Sequence, residues 1–164
     1  MTRDLTFSKP LLLRETSAQI QDFDDYLKQN GGEIRRDCPF LRYLMISEPQ
    51  MLTPTSPPSI VNLGRECLTA KCLRYDFETH PDEAMATVSG DHDKAVASHY
   101  LEALSGETHL SQIHTSMTSR LYQFTVTVQY QKLIRKVNFD GMPFIASLPI
   151  PCSRYTYSEQ LLPT

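Results

Sequence analysis

No stretch of this chain approaches the roughly 20 consecutive apolar residues that a membrane-spanning helix needs. The opening segment offers only three consecutive leucines, Leu11 to Leu13, too short a run for the hydrophobic region of a signal peptide. A cytoplasmic protein with no membrane partner is the expectation. Basic charge is scarce as well. A net charge of −3 and a pI near 5.9 provide no broad positive footprint, so nucleic acid is not an expected partner. Cysteine is sparse and unpatterned: Cys38, Cys67, Cys72 and Cys152 show neither the close pairs of a structural zinc site nor the density of a disulfide scaffold. Reduced structural thiols are expected, with the approach of Cys67 to Cys72 left open. Also missing are a glycine-rich phosphate loop, a serine in a strand–turn–helix elbow, an internal repeat and a low-complexity tract. No cofactor is specified by the sequence.

What remains is an ordinary globular composition. The 164 residues are 40% hydrophobic and 21% charged, enough for one domain, 1–164, with a single substantial core. Ile20, Phe23, Tyr26 and Leu27 fall near helical spacing, with Asp22, Asp24, Asp25 and Lys28 on the other positions. They predict an amphipathic helix over 16–31, capped by Thr16 or Ser17 and stopped by Gly31-Gly32. The segment TPTSPPS is a loop; Ser59 to Leu63 reads as a short strand ended by Gly64, and CLTAKCLRYDFE as a short helix or a second strand. A helix over 91–105 follows, with Asp91 as its N-cap, Val96, Tyr100, Ala103 and Leu104 as its apolar stripe and His99 beside it. The period then changes. Tyr122, Phe124, Val126, Val128 and Tyr130 alternate with polar residues, as only a half-buried strand does. Asn138-Phe139-Asp140-Gly141 supplies turn chemistry, so 121–137 and 144–150 should pair as an antiparallel hairpin, with 109–115 as a third strand. Pro149 and Pro151 should fray the last strand into a tail, 151–164.

Chemistry is thinly signalled. None of His80, His92, His99, His109 and His114 forms a helical His-x-x-x-His pair or joins a Cys/His cluster, so no metal site is expected. On one strand His109 and His114 would face opposite sides. Val88-Ser89-Gly90-Asp91 is better read as a helix cap than as an anion site, because Asp91 and Asp93 repel anions. The carboxylate pairs Asp24-Asp25 and Asp82-Glu83 read as solvated. Of the tight basic pairs Arg35-Arg36 and Arg135-Lys136, the second spans both faces of a strand, so one of its members should be exposed. No residue is assigned a catalytic role.

Three stretches carry a resemblance: Ser59-Ile60-Val61-Asn62-Leu63-Gly64; Tyr100-Leu101-Glu102-Ala103-Leu104-Ser105-Gly106-Glu107; and Tyr130-Gln131-Lys132-Leu133-Ile134-Arg135 ahead of the Asp140-Gly141 turn. Together with the element order, they make 38–150 resemble the bacterial PAS-like family of single-domain proteins. That resemblance implies an α+β fold: about five antiparallel strands flanked by helices, with a pocket between the sheet and the helices. It implies a non-catalytic sensory role in signal transduction, with a small-molecule ligand or a signalling protein as partner and a homodimer through the N-terminal helix. The pocket would be walled by Val96, His99, Tyr100, Tyr122, Phe124, Val126 and Val128. Two other classes stay open. One is a cone-shaped nuclear-transport-factor-like isomerase or dehydratase using Tyr100, His99 and Asp76; the other is an interaction module with no pocket.

Overall fold

The alternation in the last third of the chain becomes the strand around which everything else is arranged. The computed structural model describes residues 5–51, 53–73, 90–106, 108–119, 124–152 and 156–159. In it, β6 (Phe124–Phe139) is 16 residues long and lies between β5 (Thr108–Ser119) and β7 (Met142–Pro151), antiparallel to both. The hairpin between β6 and β7 turns at Asp140 and Gly141, whose φ values of 50° and 76° are the two positive angles of a two-residue type I′ connection. On the far side of β7 lie β3 (Met45–Ser47) and then β4 (Ile60–Leu63), also antiparallel neighbours.

Among the described residues the sheet has eight strands, where about five were expected. β4, β5, β6 and β7 fall on segments read as strands in the sequence, and β3 joins β4 to them without having been expected. The additions are β1 (Leu5–Pro10), which pairs with β5, and two short strands laid on the ends of β6, β2 (Glu33–Ile34) in parallel and β8 (Thr156–Glu159) antiparallel. Each lacked a sequence signal: β2 has two residues, and LTFSKP ends in a proline. β8 also lies inside the stretch expected to be a tail.

Both faces of the sheet are covered. Helix α1 (Ala18–Gln29) is capped by Ser17, whose hydroxyl accepts from the Ile20 amide, and it buries Ile20, Phe23 and Leu27 against Ile46, Leu133, Val137, Ala146 and Leu148. Its apolar stripe is therefore enclosed in its own domain. On the opposite face α2 (Leu68–Leu73) and α3 (Gly90–Gly106) cover Met45, Ile113, Val128, Tyr130, Ile134 and Ile145. CLTAKCLRYDFE thus opens as a helix, and Cys67 at its start is a free, buried thiol; the side chain of Cys72 lies outside the described residues. Because α3 already includes Gly90, Asp91 stands in its first turn and is not the N-cap. No helix among the described residues is long and apolar enough to cross a membrane.

One expectation about a polar residue is corrected. Asp24 is not solvated: it is 5% exposed, and its carboxylate accepts from Arg135 Nη1 at 2.7 Å. Lys28 Nζ lies 2.7 Å from its second oxygen, as a charge contact one helical turn on. This group fastens α1 to β6, while Lys136, the other member of its pair, is exposed. Replacing Asp24 with Ala should cost about 2 kcal/mol, less than a fully buried pair because Arg135 keeps some solvent contact; urea titration of the variant checks this.

The prolines do not fray β7. Even-numbered residues of β7 turn their backbone toward β6, as the Cys152 amide bonded to Gln129 shows. Pro149 and Pro151 therefore present their missing donors to the other edge, beyond the end of β3, whose pairing with β7 covers only Ile145 to Ser147. No ladder bond is lost there.

Candidate functional site

Strand pleating puts alternate residues on one face, and the face beneath α3 is where polar groups collect. Reading across the sheet, it carries Ser47 of β3, Ser147 of β7, Lys132 of β6, and His109, Ser111 and Thr115 of β5, each buried. α3 adds His99 and Tyr100 from above, 5% and 1% exposed.

Toward the β5 side two of these groups form a line with Glu102 of α3. His109 Nδ1 is 2.8 Å from Glu102 Oε2, and His109 Nε2 is 2.7 Å from Ser111 Oγ. A carboxylate only accepts, so Nδ1 carries the hydrogen. Burial holds the His109 pKa below its ordinary value, and the charge of Lys132 pushes the same way while Glu102 opposes. The imidazole is then neutral near pH 7, and Nε2 accepts from the Ser111 hydroxyl. The His99 ring stacks on His109 with centroids 4.2 Å apart and planes 16° apart, and its own Nε2 is 3.2 Å from Ser8 Oγ on β1. The imidazole of His109 is held on three sides.

Lys132 follows different rules. It is 4% exposed, flanked along β6 by Tyr130 and Ile134 and paired across the strands with Ser111 and Pro149. No carboxylate stands against it among the described residues, and burial pushes its pKa down to about 7. Toward the β3 side, Tyr100 Oη, Ser47 Oγ and Ser147 Oγ are buried without a hydrogen-bond partner. Burial raises the phenol pKa to about 12, although the two serine hydroxyls are near enough to ease it downward.

Of the expected pocket residues, Val96, Tyr100 and Val128 meet in one cluster under α3, with His99 buried beside them. Tyr122 lies outside the described residues, as do the side chains of Phe124 and Val126 and the whole of Asp76. His109 and His114 do face opposite sides, one buried and the other exposed. Sequence reading passed over Lys132, Ser111 and Glu102. The signal was present: Val128, Tyr130, Lys132, Ile134 continues the apolar alternation, and a lysine stands in one of its buried places.

A separate groove of about 670 Å³ opens at the far end of β6, lined by Leu27, Pro49, Leu104, Lys136 and Phe144 among others. Its Lys28 and Arg135 are turned to Asp24. Among the described residues no group of three His, Cys, Asp or Glu side chains could hold a metal ion. Set against protein-family models, curated proteins and solved structures, the chain has no match.

Proposed function

We propose that this chain is a PAS-like sensory domain whose small-molecule ligand sits between α3 and the sheet. Tyr100, Ser47 and Ser147 carry the reading. Leaving a buried hydroxyl without a partner costs about 1–3 kcal/mol, and three together on one face suit a ligand bearing oxygen or nitrogen acceptors. The five-strand antiparallel run crossed by a helix supports the family resemblance at the level of architecture. Signal output then follows from population shift: a ligand that bridges α3 to β3 and β7 favours the arrangement in which these elements are in contact.

Native mass spectrometry of protein purified without unfolding tests this, and a retained small molecule is the expected result. A second check is Tyr100→Phe. In protein stripped by unfolding and refolding, loss of the unpaired hydroxyl should raise stability by about 1 kcal/mol, whereas in protein as purified it should lower retention of the bound molecule. An empty spectrum together with identical behaviour of the two preparations would sink the reading. A buried ionisable group with a displaced pKa is what an enzyme reading asks for, and Lys132 supplies one.

A further inference from the structure

Every polar group in the line from Glu102 to Ser111 explains its neighbour; Lys132 is explained by none of them. A buried ammonium is costly unless paired, and proteins resolve such a position by pairing the charge or by keeping the group neutral. Here pairing is absent among the described residues. The line of hydrogen bonds ends at Ser111. Glu102 is 64% exposed at its side chain, so the line reaches solvent there, and His109 and Ser111 continue inward from it at 2.8 and 2.7 Å. Ser111 is the direct cross-strand partner of Lys132, which places their Cβ atoms about 5 Å apart. His109 on β5 lies close enough to feel the charge of Lys132, and Tyr130 flanks the lysine along β6.

An enclosed amine whose charged form burial disfavours, on a strand beside a donor–acceptor line that reaches solvent, matches what carbonyl condensation requires. We infer that Lys132 is a condensing amine, and that a small aldehyde or ketone admitted to the face beneath α3 forms a reversible imine on its Nζ. The inference rests on the reading that this face admits a small molecule. In the forward step the Nζ lone pair attacks the carbonyl carbon. The new C–N bond forms as the C–O π bond opens, and the oxygen takes one of the two nitrogen protons, giving a neutral carbinolamine. The remaining N–H proton then leaves outward along Ser111, His109 and Glu102, the direction in which these hydrogen bonds point, while the hydroxyl departs with a proton from solvent as water and the C=N bond closes. Amine and carbonyl become imine and water, with no oxidant or reductant, and hydrolysis reverses the step.

Formaldehyde with cyanoborohydride is the probe, because the imine it forms is reduced in place to a stable methylamine. On intact protein at pH 7, peptide mapping should show Lys132 methylated at least about tenfold faster than the exposed Lys9, Lys28, Lys71, Lys94 and Lys136. The advantage should shrink toward pH 10, where burial no longer sets an amine apart by its protonation. Ser111→Ala should slow Lys132 methylation severalfold while leaving the titration of the ¹³C-methylated amine in place, a split that a merely structural serine would not produce. Methylation of the five exposed lysines with Lys132 untouched would overturn the inference. If native mass spectrometry still showed a retained molecule in that case, ligand binding would stand and imine formation alone would fall.

Discussion

Replacing Lys132 with Met should make this protein more stable at pH 7, by about 3–5 kcal/mol and about 10 °C in Tm. Met preserves the unbranched stem and removes the amine, so the apolar packing between Tyr130 and Ile134 is kept. The size of the gain follows from the displacement of the amine from 10.5 to about 7 by burial, at 1.36 kcal/mol per pKa unit, with allowance for relaxation around the site. The sign depends on pH in a defined way. Below about pH 7 the amine is protonated in both states, and the folded protein carries the full penalty of a buried charge. Between about 7 and 10.5 the unfolded chain binds the proton and the folded chain does not, so stability rises with pH. Above 10.5 both forms are neutral and the penalty is gone. Tyr100 acts at the alkaline end. Its pKa is raised to about 12 by burial, so from pH 10 upward the unfolded chain ionises first and stability declines. Wild-type stability should climb from neutrality to a maximum near pH 10, and the Lys132→Met variant should lack the climb. Urea titrations at pH 6, 8 and 10 decide it: parallel pH dependence in the two proteins would show that Lys132 is not buried as described.

Gly64→Ala should cost about 3–4 kcal/mol, near the upper end for a single added methyl. A Cβ at this position would overlap the carbonyl oxygen of Arg42. That carbonyl is not free to move: it accepts from the Glu66 amide at 2.9 Å, while the Gly64 amide donates to Leu44 at 2.8 Å. The methyl group would therefore have to break one of two backbone bonds that tie the end of β4 to the turn before β3. Thermal unfolding should show a loss of about 10 °C, and a variant within 2 °C of wild type would mean that this close approach is relaxed at little cost.

Sequence reading succeeded where one local pattern decides the structure. The two-residue period fixed β6, helical spacing and a serine cap fixed α1, and Asp140-Gly141 fixed the hairpin. It failed where tertiary context decides. Asp24 has the sequence neighbours of a solvated residue; only Arg135, more than 100 positions away, makes its burial tolerable. Strands β1, β2 and β8 exist because β5 and β6 offer unpaired backbone, which their own residues do not announce. Pro149 was misread because a proline's cost depends on which edge its nitrogen faces, a property of the sheet and not of the residue. The polar face beneath α3 was legible in part. Its helix residues His99 and Tyr100 came from periodicity, whereas the Glu102–His109–Ser111 line joins a helix to a strand across a loop and has no spacing rule of its own.

The order of strands also sets the order of assembly. β5, β6 and β7 are consecutive antiparallel neighbours and can zip together from local turns. β3 must wait for β7, about 100 residues downstream, and β1 for β5 at a similar separation, closures that slow folding in proportion to the loop they bridge. On a ribosome the residues of α1, β3 and β4 emerge with their apolar sides exposed and no sheet to cover them until the β5–β7 meander has been synthesised. The chain's most vulnerable interval is therefore late in translation, when half of its core has been made and has nothing to pack against.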